Sequence, residues 1–126
     1  MLSQIPIFEE IDDAGLDVIA RLATDFEAPA GRVLAEVGQP GTGLFVIEEG
    51  IVEVDLPDGA AVELGPGEFF GEVALLTDSP RGARVRARTD VRCLAIERHV
   101  FDLLLDAQPT IAVKMLPVVA RRLTGH

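Results

Sequence analysis

Two side chains in this sequence have the types and spacing to hold an anion beside hydroxyl groups: Glu72 and, nine positions on, Arg81. They lie in residues 67–87, G-E-F-F-G-E-V-A-L-L-T-D-S-P-R-G-A-R-V-R-A. Phe69-Phe70-Gly71 reads as a tight apolar turn, and Glu72-Val73-Ala74-Leu75-Leu76 has the residues of one or two helical turns. Thr77-Asp78-Ser79-Pro80 then stops the helix. The first free N–H groups after Gly71 would attract negative charge. The planar guanidinium fork of Arg81 suits a phosphate. The Glu72 carboxylate would repel a bare phosphate, so its presence makes sense where the ligand also offers hydroxyl donors. One phosphate plus ribose hydroxyls is a nucleotide-like demand. Simpler roles stand beside this one: Gly71 as a turn glycine, Glu72 as a helix-start carboxylate favoured by the dipole, and Arg81 as the ion-pair partner of Glu72.

The rest of the chain must position those residues. Residues 2–8 form a short apolar lead containing Pro6. Asp12 and Asp13 precede Leu16, Ile19, Ala20, Leu22 and Ala23, which predicts a helix over about 12–24, followed by a turn over 26–31. From Arg32 the period changes to two, and strands are expected at about 33–37, 44–49, 51–56, 61–64, 83–88 and 91–96, with glycine-containing turns between several of them. Short strands at regular spacing indicate an antiparallel sandwich or barrel. The tail reads as two helices, one over 98–106 and one opening at Gln108-Pro109, with Pro117 expected to kink the second. That second helix is apolar nearly all round and needs cover, either from the barrel or from a second chain.

Composition bounds the function. A chain of 126 residues with 48% hydrophobic residues is one domain, 1–126, with a real core. No apolar run approaches a membrane span, and residues 1–4 show no basic signal-peptide start. The single Cys93 rules out an internal disulfide and suits a reducing cytoplasm; a buried thiol is expected. A net charge of −10 argues against nucleic acid as a partner. The charge is uneven: residues 1–80 hold 17 acidic and two basic side chains, and residues 81–126 hold nine basic and four acidic, so the basic surplus begins at Arg81. Arg86 and Arg88 read as the solvated face of a strand. Glu9-Glu10, Asp12-Asp13 and Glu48-Glu49 read as solvated pairs rather than acid/base dyads. Neither nucleophile elbow nor P-loop is present, and His99 and His126 both lie in the helical tail, so no catalytic or metal set emerges and the chain is expected not to be an enzyme.

The run F-G-E-V-A-L-L-T-D-S-P-R-G-A-R-V, over 70–85, resembles the phosphate-binding cassette of the cyclic nucleotide-binding domain, shared by catabolite-activator-type regulators, cyclic-nucleotide-dependent kinases and gated channels. The N-terminal P-I-F-x-x-I and the run L-F-V-I-E-E-G-I-V-E-V resemble the same family, so the likeness covers nearly the whole chain. It implies a mainly β fold, an antiparallel eight-stranded β-roll of the jelly-roll or double-stranded β-helix kind. A helical lead would occupy 1–30, the roll 31–97 with the cassette at 69–83, and C-terminal helices 98–124. It implies that Arg81 grips the cyclic phosphate, that Gly71 and Glu72 bind the ribose 2′-hydroxyl, and that the backbone N–H groups of Ala74 and Ala83 complete the cradle. The binding set is therefore Phe70, Gly71, Glu72, Val73, Ala74, Leu75, Arg81, Gly82 and Ala83. The ligand would be cAMP more than cGMP, because Gly82 lacks the hydroxyl that guanine-selective members usually carry there; no cofactor is implied. Arg84 also departs from the family's usual Ser or Thr, and could face solvent or add to phosphate binding. With neither Trp nor Tyr present, base contacts from this chain would fall to barrel residues or to Arg122 and Thr124. The resemblance further implies a homodimer through the C-terminal helix and an effector protein as partners. A β-roll that has lost its ligand and serves as an interaction domain is the competing expectation.

Overall fold

The computed structural model describes residues 2–38, 43–56, 59–72 and 83–124. Two 3-10 turns, Leu2–Gln4 and Pro6–Phe8, lead into helix α1, Asp13–Leu22. Asp12 caps α1 by accepting a hydrogen bond from the Gly15 N–H at 2.8 Å, which stops the helix from starting earlier. Eight strands follow: β1 Thr24–Ala28, β2 Val33–Ala35, β3 Gly43–Glu49, β4 Val52–Asp55, β5 Ala61–Leu64, β6 Phe69–Phe70, β7 Arg84–Ala87 and β8 Val91–Glu97. Helices α2, Arg98–Ala107, and α3, Thr110–Thr124, complete the described chain.

The strands form two four-stranded antiparallel sheets, ordered β1-β8-β3-β6 and β2-β7-β4-β5. This is the eight-stranded β-roll with flanking helices. Two local expectations change. Residues 24–28 are a strand, not the end of a helix and a turn, because pairing with β8 from Thr24↔Ala95 to Ala28↔Val91 satisfies that backbone. Phe69-Phe70 is likewise a short strand on β3 rather than a turn. Two residues give too little alternation for a sequence pattern to register.

The period-two alternation sends successive side chains of β3 to different clusters. Leu44 and Val46 pack with Phe69, Leu94 and Ile96 against the N-terminal turns and both C-terminal helices. Ile47 packs inside the roll with Val52, Phe70, Val85 and Cys93, with Phe45 against them. Phe69 and Phe70 thus belong to opposite clusters. Phe70 stacks on Phe45 at 5.0 Å, and Phe45 meets Phe26 edge-on at 5.7 Å. Cys93 is fully buried, and burial pushes its thiol up to about 11. At Gly50 (φ +89°) a Cβ would lie 2.2 Å from the Asp90 carbonyl oxygen, so the turn into β4 has no room for a side chain.

Arg84 and Arg86 of β7, and Arg88 just after it, do more than line a solvated face. Arg86 donates to Glu53 at 2.7 Å, directly across from it on β4. Arg88 reaches both Glu53 and Glu63 at 3.0 Å, bridging two carboxylates that face each other across β4 and β5. Arg84 donates to Glu36 at 3.0 Å.

α3 buries Ile111, Met115 and Val119 against the N-terminal turns, while Val113 and Leu116 on its other side are 63% and 62% exposed. Lys114 pins the same helix to Glu9 at 2.7 Å and Glu10 at 3.0 Å, so that acidic pair has a partner. One face of α3 is therefore covered, largely by the N-terminal turns and α2, and the other is bare. α3 continues through Pro117 to Thr124.

Candidate functional site

The site begins where β6 ends. Phe69 and Phe70 are anchored on opposite sides of the sheet, which fixes the backbone entering Gly71. Gly71 has φ +95°, a conformation that side-chain-bearing residues rarely adopt. That turn drives Glu72 inward: it is 1% exposed, the only charged residue in the buried set of described residues.

Burying a carboxylate is costly unless a counter-charge meets it. The counter-charge comes from the last turns of α3. Arg122 Nη1 donates to Glu72 Oε1 at 2.5 Å, Nη2 donates to the Phe69 carbonyl oxygen at 2.6 Å, and the guanidinium carbon lies 4.8 Å from the Phe69 ring centroid. One fork thus closes both ends of the Phe69–Glu72 corner. The second oxygen, Oε2, is buried and has no hydrogen-bond partner among the described residues. It remains an acceptor in search of a donor.

Of the expected binding residues, Phe70, Gly71, Glu72 and Ala83 are described; Ala83 leads into β7. Val73, Ala74, Leu75, Arg81 and Gly82 lie outside the described residues. Arg84, a possible extra phosphate ligand, is engaged by Glu36. Arg122, named from the sequence among the residues that could contact a base, stands at Glu72. The signal for that placement was available: Ile111, Met115, Val119 and Arg122 follow at steps of four, four and three, so Arg122 continues the buried stripe of α3.

Glu48 is a second departure. Rather than standing in a solvated pair with Glu49, it is partly buried; burial first, and the neighbouring Asp25 carboxyl second, raise its carboxyl to about 7, against the pull of Arg92. An open cleft of about 300 Å³ is lined by Glu27, Ala28, Pro29, Glu49, Asp90, Val91 and Arg92. It shares no residue with the Glu72 corner. Its arginine is paired with Glu49 at 3.2 Å, and Asp90 accepts from the Ala30 N–H at 3.0 Å, which leaves little to bind a phosphate. Among the described residues no three His, Cys, Asp or Glu groups gather to hold a metal ion, and no single helix is long and apolar enough to cross a membrane.

Comparison with known proteins draws these features together. The family model described as the cyclic nucleotide-binding domain matches residues 26–108. The chain is 39% identical over 112 residues to a cyclic nucleotide-gated potassium channel of Mesorhizobium japonicum, covering 89% of this chain and 31% of the channel. It is 27% identical over 128 residues to a CRP-like cAMP-activated global transcriptional regulator of Mycobacterium tuberculosis, covering 98% of this chain and 57% of the regulator. Among solved structures, the catabolite activator protein of Thermus thermophilus superposes with a TM-score of 0.82 at 28% identity, over 95% of this chain and 59% of that one. The chain thus spans about a third to three-fifths of these relatives. The β-roll, the glycine corner with its buried carboxylate and the family match agree: the chain belongs to the cyclic nucleotide-binding domain family.

Proposed function

We propose that this chain is a non-enzymatic sensor module that binds a cyclic nucleotide, cAMP in preference to cGMP, and relays the bound state through α2 and α3. The observation that carries the reading is the buried Glu72 carboxylate, with one oxygen held by α3 and the other without a partner among the described residues. A ribose hydroxyl is the donor such an oxygen suits. Arg81 would take the cyclic phosphate, and the N–H groups of Ala74 and Ala83 would support it. The preference for cAMP rests on Gly82, which has no hydroxyl to offer a guanine, and is supported by the cAMP-activated regulator among the relatives.

Relay requires that the ligand favour one position of the helices over another. The contact of Arg122 with Glu72 supplies the link, since whatever moves or recharges that carboxylate acts on the end of α3. A homodimer is the partner we favour, because Val113 and Leu116 present bare apolar surface on the helix that would carry the signal. An effector protein would then read the change. Replacing Arg81→Ala should weaken cAMP binding by roughly 1.5–3 kcal/mol through loss of a charge-assisted contact. Calorimetric titration of that variant checks the assignment; unchanged affinity would remove Arg81 from the site.

A further inference from the structure

We propose that Arg122 is the positioning residue that sets the site's preference for a ligand with a free ribose hydroxyl. This rests on the cyclic nucleotide reading and extends it to a residue outside the cassette. The fork of Arg122 spans two acceptors, Glu72 Oε1 and the Phe69 carbonyl oxygen, at the two ends of one sharp corner. Its face lies against the Phe69 ring. A carboxylate held at one oxygen has little rotational freedom left, so the orientation of Oε2 is set before any ligand arrives. Pre-setting an acceptor lowers the ordering cost of binding a donor.

Chemistry favours arginine in this role. Lysine would keep the charge but could not bridge both acceptors with a planar fork. Alanine would leave the Glu72 carboxylate buried without its counter-charge and free to turn. The partner of Glu72 is also on a different element, at the end of α3, 50 residues away in sequence. Hydroxyl recognition and the seating of that helix therefore share one carboxylate.

The test uses the full chain as wild type, Arg122→Ala and Arg122→Lys, each titrated calorimetrically with cAMP and with 2′-deoxy-cAMP. In the wild type, losing the 2′-hydroxyl should weaken binding at least about ten-fold, the scale of a hydrogen bond to a charged acceptor. In Arg122→Ala that ratio should fall below about three-fold, because cAMP loses affinity while 2′-deoxy-cAMP hardly changes. Arg122→Lys should lie between, and it carries the same comparison if circular dichroism shows the alanine variant unfolded. A merely structural arginine would weaken both nucleotides alike. An unchanged ratio in the folded variants overturns the role of Arg122 and leaves the nucleotide reading standing. A folded wild type that binds neither nucleotide overturns the nucleotide reading itself, and this inference with it.

Discussion

At the scale of single residues, the buried Glu72 and the partly buried Glu48 face different partners. Glu72 meets a guanidinium at hydrogen-bond distance; Glu48 meets another carboxylate, Asp25. The folded protein raises Glu48 from 4.5 to about 7, so between those values the folded state holds more proton than the unfolded chain. Its contribution is fully present below pH 4.5 and is lost as pH rises through 7. Glu48→Gln should therefore flatten the fall in melting temperature across that window, and stabilise the protein above it by on the order of 1 kcal/mol. Melting curves at several pH values check this; a variant with the parent's slope would remove Glu48 as its cause. Gly71 carries the other residue-scale prediction. With φ at +95°, Gly71→Ala should destabilise the fold by about 1–2 kcal/mol and weaken nucleotide binding. Much of this corner was legible: Gly71, Glu72 and their place after a Phe-Phe pair can be read from the sequence. The partner of Glu72 was not placed there, because it comes from 50 residues downstream and only the buried stripe of α3 points to it.

At the scale of elements, β4, β5 and β7 are laced together by charge as well as by backbone. Glu53 accepts from Arg86 and Arg88, and the Arg86 bond first holds its carboxyl below the usual range. Its folded value is lowered, so this contribution is present above the unfolded value of 4.5 and lost as pH falls below it. Glu53→Gln should lower the melting temperature at neutral pH, and the gap to wild type should narrow between low salt and about 1 M salt, where screening reaches about 3 Å. Equal gaps at both salt concentrations would assign the loss to packing instead. Strand existence was largely readable from the alternation of residues such as Arg84-Val85-Arg86-Ala87. Residues 24–28 escaped because β1 shows Phe26 and Ala28 as its inward side chains amid Thr24, Asp25 and Glu27, a weak pattern that only the pairing with β8 completes. The ion-pair ladder escaped for a related reason: period two predicts which face the arginines take, but not which acidic residues the register brings opposite them.

At the scale of the molecule, α3 connects distant parts of the chain: Lys114 ties it to Glu9 and Glu10, Ile111, Met115 and Val119 pack it into the core with the N-terminal turns, and Arg122 ties it to the Glu72 corner. Its remaining face exposes Val113 and Leu116. If a second copy covers that face, Leu116→Glu should shift the chain to monomer in sedimentation while leaving the fold intact; a wild type that is monomeric at all concentrations would leave the face uncovered by its own kind. The central claim is that this roll binds a cyclic nucleotide at the Glu72 corner. Calorimetric titration of the purified, nucleotide-free chain with cAMP and then cGMP tests it most directly. The account predicts saturable binding near one cAMP per chain and weaker binding of cGMP. No heat with either nucleotide, on protein shown to be folded, would contradict it and leave the chain as a β-roll kept for its interactions alone.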